Sequence, residues 1–404
     1  MNNTSRGKKI GVVVDSFYPA KTSAAIQMLD LCKALNFTGA KVTIFIPSSS
    51  VKEKIQLSSV DGIDVVSIKT PQLKNISHIL RLYRETFLSF IMIKAYRSSS
   101  IRDSRFDAIV WYSPSIFISF FAKYLSMQSK CKSYLILRDI FPKWSVDIGL
   151  ISKWSPVHLF LKIIENAQYK IADKVGIQSY GDLDYFNGYK KNIFNKVEVL
   201  NNWRSPPVEK KCDIVLENTI LKDRKIFIYS GNIGLAQDFA LFLKAVKSIN
   251  NNNDIGFVVI GNGSELNFVK NYISKNDLSN IILLPEISHE QLPGLYKQCH
   301  FGLVLLDTNL KTHNIPGKFL SYLYAGLPVL ASLNKGNDLE KIIDEFQIGC
   351  YSSDKDFNTL AMRMLELANM KFSKDENIIR CNQLIKKNYL PETAASQLTD
   401  FLFK

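Results

Sequence analysis

Short apolar runs alternate with amphipathic segments along most of the chain. Three of these runs, KKIGVVVDS (8–16), KVTIFIPS (41–48) and FDAIVWYSP (106–114), are rich in β-branched residues and predict buried strands. Between the first two runs, AAIQMLDLCKALNFTG (24–39) has helical periodicity and ends at a glycine suited to a helix C-terminus. Buried strands separated by helices are typical of parallel sheets with crossover helices. The pattern therefore predicts an α/β fold.

The alternation stops once and then starts again. The segment SPPVEKKCDIVLENTILK (205–222) combines two prolines with mixed charges, as expected of a linker, and strands resume at KIFIYSGN (225–232). A chain of 404 residues is also long enough for two domains of about 200 residues each. We therefore predict two Rossmann-like, doubly wound domains that face each other across a cleft.

The predicted boundaries follow from these breaks. The N-terminal domain is expected over residues 1–204, the linker over 205–222 and the C-terminal domain over 223–385. The remaining residues, 386–404, are predicted to form a helix, with the N-terminal domain as its candidate packing surface.

Two glycine-rich loops follow predicted strands in the second half. YSGNIG places Gly231 and Gly234 after one strand, and VVIGNGSE places Gly261 and Gly263 after the next. Ligands of doubly wound sheets bind at the carboxyl ends of strands, where backbone N–H groups and helix N-termini suit a phosphate. Either loop alone is more often a plain strand–helix turn. Their shared position favours anion binding.

The stretch HNIPGKFLSYLYAGLPVLAS (313–332) predicts a short helix with an unusual start. Pro316 suits the first helical position, and Gly326 with Pro328 ends the helix. Lys318 is not explained in this way, because a cation at a helix N-terminus opposes the helix dipole. A bound anion beside Gly317 would explain the lysine.

The first half has its own candidate positions at predicted strand ends. The loop DSFYPAKTSAA leads into a helix through Lys21, Thr22 and Ser23, and LRDIFPKW carries Arg138 and Asp139. These side chains are candidates to bind sugar or acceptor hydroxyls. The alternatives are helix capping by Thr22 or Ser23 and pairing between Arg138 and Asp139.

Metal binding is not expected. The triplet DLD (182–184) has the form of a DxD metal-binding motif, but it opens a helix, so N-terminal capping is the preferred interpretation. The histidines lack the spacing of metal ligands. The scattered cysteines predict reduced core thiols.

The positive charge lies in the first half of the chain. The net charge is +14, and residues 1–204 hold 29 Lys and Arg against 15 Asp and Glu, whereas residues 205–404 hold 22 of each. The positive charge of residues 1–204 favours binding of a polyanion, which is a nucleic acid, an anionic lipid or a pyrophosphate-linked substrate. No nucleic-acid-binding motif is found, so no nucleic acid partner is expected.

Two stretches in this half combine apolar and basic residues, LKNISHILRLYRETFLSFIMIKAYRSSS (73–100) and SIFISFFAKYLSMQSK (115–130). The pattern is typical of a helix on an anionic membrane surface, and packing on the sheet with a solvated charged face is the alternative. No apolar segment reaches the ~18 residues of a membrane span, and the N-terminus has no room for a signal peptide. We expect a cytoplasmic protein, peripheral on the inner face of the plasma membrane.

Four segments of the second half resemble family 4 retaining glycosyltransferases, which have the GT-B fold. They are YSGNIG, VVIGNGSE, LLPEISHEQLPGLYKQCHFGLVLL and IPGKFLSYLYAGLPVLAS. In the first half, the loop after the first strand, LRDIFPKW and VEVLNNW are similar to the same family. The resemblance extends to bacterial transferases that build O-antigen or capsule repeat units on a lipid pyrophosphate, including a subgroup associated with N-acetylfucosamine.

The resemblance implies an activity. A sugar, N-acetyl-L-fucosamine or a related amino sugar, would move from a nucleotide diphosphate donor, expected to be a UDP-sugar, to a lipid-pyrophosphate-linked saccharide. It also implies retention at the anomeric carbon, no metal and no cofactor, with the donor bound mainly by the second domain and the acceptor by the first.

The resemblance also carries roles onto individual positions. The implied donor-binding residues are Gly231, Asn232, Gly234, Gly261, Gly263, Glu265, Pro316, Gly317 and Ser321. The candidate catalytic residues are Lys318, Asp139 and His313, and the candidate acceptor-binding residues are Lys21, Thr22, Ser23 and Arg138.

The chain departs from the family at four of its functional positions. Asn232 and Gln237 stand where many members carry an Arg and a Lys. His313 and Ser321 stand where many carry a Glu-x7-Glu pair, whose second Glu usually holds the ribose. Two other functions therefore stay open. One is a nucleotide-sugar epimerase or phosphorylase on the same fold, which would need catalytic carboxylates or a cofactor lysine. The other is a non-catalytic membrane partner in polysaccharide assembly.

Overall fold

The computed structural model describes residues 5–20, 22–73, 76–371 and 373–404. Lys21, a predicted acceptor-binding residue, lies outside these residues. The chain divides into two compact units. The first unit comprises residues 1–203 and 391–404, and the second comprises residues 204–390.

The first unit is built on an eight-stranded sheet, within the described residues. Its strands are β1 (Lys9–Val13), β2 (Lys41–Ser48), β3 (Ile55–Val60), β4 (Ile63–Lys69), β5 (Ala108–Ser113), β6 (Lys132–Leu137), β7 (Lys174–Ile177) and β8 (Val197–Val199). The spatial order is β3-β4-β2-β1-β5-β6-β7-β8. Only the edge pair β3/β4 is antiparallel in this sheet as described. In the central register, Val12 lies beside Ile44 on one side and Val110 on the other.

Helices cover both faces of this sheet. They are α1 (Ser23–Phe37), α2 (His78–Thr86), α3 (Leu88–Arg97), α4 (Ser119–Ser129), α5 (Lys143–Asp147), α6 (Pro156–Ile171), α7 (Leu183–Phe186) and α8 (Lys191–Phe194). Consecutive residues of β1 are buried on opposite sides: Val12 packs with α1 residues and Val13 with α3 and α4 residues. Burial on both faces explains why this strand is a continuous apolar run.

The second unit is built on a parallel six-stranded sheet, counted over the described residues. Its strands are β9 (Lys225–Ser230), β10 (Ile255–Ile260), β11 (Ile281–Leu284), β12 (Phe301–Leu305), β13 (Val329–Ser332) and β14 (Gly349–Ser352). The spatial order is β11-β10-β9-β12-β13-β14, so the winding direction reverses between β9 and β12. Such a reversal is where ligands of doubly wound sheets bind.

The helices of the second unit follow its strands. They are α9 (Phe239–Ser248), α10 (Leu266–Lys275), α11 (Leu292–Tyr296), α12 (Gly317–Tyr324), α13 (Asp338–Phe346), α14 (Phe357–Asn369) and α15 (Lys374–Leu384). A π-helical turn, Ile385–Tyr389, continues α15. Helix α12 follows the loop after β12, so its N-terminus lies at the carboxyl edge of the sheet.

The last helix, α16 (Pro391–Phe403), belongs to the first unit. It packs on α1, and Gln397 Nε2 donates to Glu198 Oε1 at 3.1 Å and to Val199 O at 2.8 Å. Segment 205–222 belongs to the second unit, where Lys210 N donates to Glu290 O at 2.7 Å. Over the described residues, no helix has both the length and the apolar character needed to cross a bilayer.

Candidate functional site

The loops after β9 and β10 lie directly against each other. Gly231 N donates to Ile260 O at 3.0 Å, and Ile233 N donates to Asn262 O at 2.8 Å. Gly261 has a φ of +149°, and a Cβ at this position would lie 1.9 Å from Gly231 O. Only glycine fits there, because both the backbone conformation and the space exclude a side chain.

The second glycine of the β10 loop is constrained in the same way. A Cβ on Gly263 would lie 2.2 Å from Ile233 O. Ile233 O also accepts from Glu265 N at 2.9 Å, which fixes the turn into α10. The structure thus brings together the predicted donor-site residues of these two loops. The exposed backbone of Gly231 and Asn232 forms their outer surface.

Helix α12 begins one residue later than the sequence predicted. Pro316 has φ −66° and ψ 143°, so it is the extended N-cap residue and not the first helical residue. Gly317 starts the helix, and Phe319 N donates to Pro316 O at 3.0 Å. The N–H groups of Gly317 and Lys318 precede the internal hydrogen bonds of the helix and make no hydrogen bond with the described residues. They are available donors at the positive end of the helix dipole.

The helix is short because its C-terminus is strongly specified. Gly326 has φ +64°, Gly326 N donates to Leu323 O at 3.0 Å, and Leu327 N donates to Tyr322 O at 3.0 Å. This pair of bonds is a Schellman motif, which a glycine in the left-handed region makes possible. The chain then enters β13 directly.

Lys318 folds over the end of β9. Its ammonium lies 3.6 Å from the centroid of the Tyr229 ring, and its Cε lies 3.4 Å from the position that a Cβ on Gly231 would occupy. No ion pair to Lys318 is found among the described residues. Burial lowers the pKa of the Lys318 ammonium to about 7. A cation without a counter-ion is costly, so an anion beside it would be bound favourably.

Buried tyrosine hydroxyl groups form hydrogen bonds at the end of β9. Ser230 Oγ is 2.6 Å from Tyr296 Oη, Ser230 N donates to Tyr322 Oη at 3.1 Å, and Tyr229 Oη donates to Asn232 O at 2.5 Å. The sequence analysis treated Tyr322 as one apolar residue of α12 and missed this role. The signal was a tyrosine at a fully buried helical position, which normally needs a hydrogen-bond partner.

The two amides at the positions where many family members have Arg and Lys contact each other. Asn232 Nδ2 donates to Gln237 Oε1 at 3.2 Å, and Gly234 N donates to the same oxygen at 3.1 Å. The loop is therefore stabilised by an amide pair. Neither Asn232 nor Gln237 carries a charge. Among the described residues, Lys318 is therefore the cation of this part of the site.

Ser321 and His313 occupy different places at the same edge of the sheet. Ser321 Oγ donates to Gly317 O at 3.2 Å, so the hydroxyl proton is used within α12. His313 Nε2 is 3.4 Å from Lys335 O. The loop that carries His313 is anchored by Asn334, whose Nδ2 donates to Leu310 O at 3.0 Å and to Thr312 O at 3.2 Å. Asn334 is buried and was not predicted as a site residue.

In the first unit, Thr22 and Ser23 have separate roles. Thr22 Oγ1 accepts from Ala25 N at 3.2 Å and caps α1, as the capping alternative proposed. Arg138 Nη2 donates to Ser23 Oγ at 3.2 Å, so the structure joins these two acceptor-site candidates. Although burial opposes the charge, Tyr112 and the neighbouring Asp139 raise the pKa of the Arg138 guanidinium above its ordinary value.

A buried polar network continues from Arg138 into the unit, and sequence reasoning missed it. Arg138 Nη1 donates to Tyr112 Oη at 2.8 Å, and Tyr112 Oη donates to Gln27 Oε1 at 2.6 Å. Gln27 Nε2 donates to Asn202 Oδ1 at 2.5 Å, and Trp203 Nε1 donates to Gln27 O at 2.7 Å. Gln27 thus joins α1 to β5 and to the segment after β8.

The DLD triplet has no capping role through its first carboxylate. Asp182 is the N-cap residue of α7 but makes no side-chain cap hydrogen bond, and Asp184 Oδ1 accepts from Asn187 Nδ2 at 3.1 Å. The capping interpretation was therefore wrong for Asp182 with respect to α7, because this residue already has helical dihedral angles as the last residue of a 3₁₀ turn. No group of three potential metal ligands is present among the described residues.

The fold is that of the GT-B glycosyltransferases, and solved structures show it. Sucrose-phosphate synthase from Thermosynechococcus elongatus superposes with a TM-score of 0.73 at 14% identity, covering 98% of both chains. Anabaena Alr3699/HepE in complex with UDP and glucose gives 0.67 at 13% identity, covering 98% of this chain and 99% of that one. WaaG, a glycosyltransferase involved in lipopolysaccharide biosynthesis, gives 0.64 at 11% identity, covering 97% and 99%. The predicted α/β fold with two Rossmann-like units is confirmed.

Sequence comparison finds two further similarities. Residues 214–387, nearly the whole second unit, match the family model described as Glycosyl transferases group 1. The probable glycosyltransferase WbjE from Pseudomonas aeruginosa is 23% identical over 262 residues, which are 64% of this chain. The match spans 64% of the length of that relative. The second unit is therefore similar to the group 1 glycosyl transferases.

Proposed function

We propose that the protein is a retaining glycosyltransferase of O-antigen or capsule biosynthesis. It moves a sugar from a nucleotide diphosphate to a lipid-pyrophosphate-linked saccharide. The observation that carries the proposal is Lys318: a half-buried ammonium without an ion pair in the described residues, placed at the start of α12 beside two interlocked glycine loops.

The donor diphosphate would lie between these elements. Its oxygens would accept from the N–H groups of Gly317 and Lys318 and from the Lys318 ammonium, while the exposed backbone of Gly231 lets a phosphate approach closely. The structural neighbour Alr3699/HepE has been solved with UDP and with UDP-glucose, which supports UDP as the nucleotide. N-acetyl-L-fucosamine, or a related amino sugar, is proposed from the family resemblance. Glu265 and Ser321 are the proposed contacts to the nucleoside.

Lys318 would then act on the departing diphosphate. Negative charge grows on that group as the glycosidic bond to the donor breaks, and a fixed cation stabilises the charge. In a front-face displacement, the leaving phosphate itself takes the proton of the acceptor hydroxyl, so no protein base is required. The chain's own residues bind and orient the donor and neutralise its charge, without a metal or a cofactor.

The acceptor would be held by the first unit. Arg138 is fixed by Ser23 and Tyr112, and its guanidinium has five donors in all, so some remain for a sugar or phosphate oxygen. Asp139 follows it directly and is the proposed contact to acceptor hydroxyls. The lipid portion would keep the enzyme at the inner face of the plasma membrane, as the basic first half suggests.

Mixing the protein with a panel of nucleotide sugars and a short-chain lipid-pyrophosphate saccharide tests the proposal. Mass spectrometry reports the extended acceptor, and NMR of the product reports its anomeric configuration. An extended product with the donor's configuration supports the proposal. Nucleotide release without acceptor would indicate hydrolysis or epimerisation, and an inverted product would exclude retention.

A non-catalytic partner in polysaccharide assembly is the second candidate. It is favoured by the amide pair Asn232–Gln237 and by the self-bonded Ser321, since family members usually place charged residues there. Calorimetric titration with UDP and UDP-sugars separates the two candidates. Binding at micromolar concentration supports the transferase, and the absence of donor binding supports the partner.

A further inference from the structure

Helix α6 buries two polar side chains and exposes two large apolar ones. Its polar residues Glu165 and Gln168 are fully buried, whereas Leu159 and Ile163 are 64% and 58% exposed. The cause is a polar cluster beneath the helix. Glu165 Oε1 accepts from Tyr169 Oη at 2.9 Å. This arrangement differs from that of an ordinary surface helix, in which the apolar stripe alone faces the core.

The same cluster also draws in the nearest lysine. Lys162 Nζ lies 2.7 Å from Glu165 Oε2 and donates to Tyr189 Oη at 2.8 Å. Tyr185 Oη donates to Glu165 Oε1 at 2.5 Å. The charges of the central part of α6 are thus satisfied inside the unit, and they do not shield the outer side of the helix.

The chain before α6 extends its apolar outer side. Trp154 is 88% exposed, and Val157 in the first turn of the helix is also exposed. A fully exposed indole is unusual for a residue of this size, because burying a tryptophan removes a large apolar area from water. Leu159 and Ile163, one turn apart, share the exposed side of α6, and Trp154 lies just before the start of the helix.

Helix α2 adjoins this series. Its Leu82 packs with Phe160 and Ile164 of α6 in one small cluster around Phe117 and Leu161. The outer side of α2 exposes Ile79, 85% accessible, and Tyr83. Tyr83 contacts the next exposed ring, Phe87, with ring centroids 5.2 Å apart. We call the set Ile79, Tyr83, Phe87, Trp154, Leu159 and Ile163 the α2–α6 face.

The charges around the α2–α6 face are mainly positive. The acidic side chains that are close in sequence to this face are paired with basic side chains. Asp147 pairs with Lys143 and is 5% exposed, and Glu85 accepts from Arg81 Nε at 2.9 Å. Lys153 and Lys94, in contrast, are exposed without an ion pair in the described residues. An apolar surface with a tryptophan and flanking cations complements the interface of an anionic bilayer.

We propose that the α2–α6 face inserts into the headgroup region of an anionic lipid bilayer. The inference deepens the proposed function, on which it rests for its biological role, because a lipid-linked acceptor lies in such a bilayer. The sequence pattern had indicated residues 73–100, which contain α2, and residues 115–130, which contain α4. Helix α4 turns Phe121 and Leu125 into the core, and α6 takes its place beside α2.

Vesicle co-sedimentation tests the surface. The wild-type protein is expected to sediment with vesicles of phosphatidylcholine and phosphatidylglycerol, and at least tenfold less with phosphatidylcholine alone. The double variant Leu159→Ser/Ile163→Ser should lose at least tenfold in affinity for the mixed vesicles. Trp154 emission should shift to shorter wavelength on binding, and this shift should vanish in Trp154→Ser. Phe37→Ser, which changes an exposed aromatic residue at the end of α1, is the matched control and should bind as wild type.

The possible outcomes are distinct. Equal binding by the double variant and the wild type overturns the proposal, as does equal binding to both vesicle types. If the wild type is a dimer in light scattering and the double variant a monomer, the face is an interface between copies, which also overturns it. Transfer to a water-soluble short-chain acceptor should be unchanged in the double variant. Failure of that transfer in the wild type would count against the proposed function and not against the surface.

Discussion

The Lys318 ammonium lies over the face of the Tyr229 ring, 3.6 Å from its centroid. A cation–π contact of this kind is worth about 0.5–2 kcal/mol, which does not replace the hydration of a buried charge. The pKa of the Lys318 ammonium is lowered to about 7 because the contact does not fully compensate for the lost hydration. The protein therefore carries a destabilising charge at this site, as expected where function competes with stability.

Replacement of Lys318 by Met should weaken UDP binding at least tenfold and lower turnover at saturating donor. The same change should stabilise the unliganded protein by roughly 0.5–2 kcal/mol. The folded pKa lies below the unfolded value of 10.5, so the gain should be largest below pH 7 and shrink as the pH rises above 7. Calorimetry and thermal denaturation measure the two effects.

The control for this variant is Lys247→Met, which removes an exposed lysine from the last turn of α9. It should leave both UDP affinity and turnover unchanged. If Lys318→Met retains full turnover at saturating donor, the proposed role in stabilising the leaving diphosphate is wrong.

UDP affinity should depend on pH through Lys318. A diphosphate favours the charged ammonium and raises its pKa, so the dissociation constant should be nearly flat between pH 6.5 and about 7 and then rise toward tenfold per pH unit. Lys318→Arg keeps its charge throughout this range and should give a flat profile up to pH 8.5. Parallel profiles for wild type and Lys318→Arg would assign the titration to another group.

The glycine loops could be predicted from the sequence because their cause is local. Gly261 and Gly263 follow a buried apolar run directly, and the strand–loop–helix order places them at the carboxyl edge of the sheet. What the sequence could not supply is the reason for each glycine, since the clash of a Cβ at 261 is with the backbone of residue 231.

The polar networks could not be predicted, because their partners are distant in sequence. Gln27 bonds Asn202, 175 positions away, and nothing near Gln27 distinguishes it from a solvent-facing glutamine of an amphipathic helix. The burial of Glu165 in α6 has the same origin. Apolar periodicity predicts that Leu159 and Ile163 face the core, whereas one of the hydroxyls that bond to the buried Glu165 belongs to Tyr185, which follows the helix.

Gly261→Ala should disrupt the two loops together. Its Cβ would meet Gly231 O at 1.9 Å, so we expect a loss of roughly 2–4 kcal/mol in unfolding free energy, with UDP binding abolished. Gly7→Ala is the control that measures backbone strain without a steric clash. Gly7 also has a positive φ, +76°, but no atom lies within 4 Å of its Cβ position. That control should lose only about 1 kcal/mol. Equal losses in the two variants would show that steric contact between the loops is unimportant.

Gln27→Leu should separate acceptor binding from donor binding. The change leaves the Tyr112 hydroxyl proton without its buried acceptor, whereas Asn202 Oδ1 still accepts from Trp203 N, so we expect a cost of roughly 1–3 kcal/mol. Because Tyr112 also holds Arg138, we expect a several-fold rise in the acceptor KM with little change in kcat or in UDP affinity. Steady-state kinetics with varied acceptor, run well below the lowered melting temperature, measure the split. Gln56→Leu, an exposed substitution on β3, should change none of these quantities. An equal fall in UDP affinity would instead indicate general loss of structure, and Gln27 would then have no specific role in positioning Arg138.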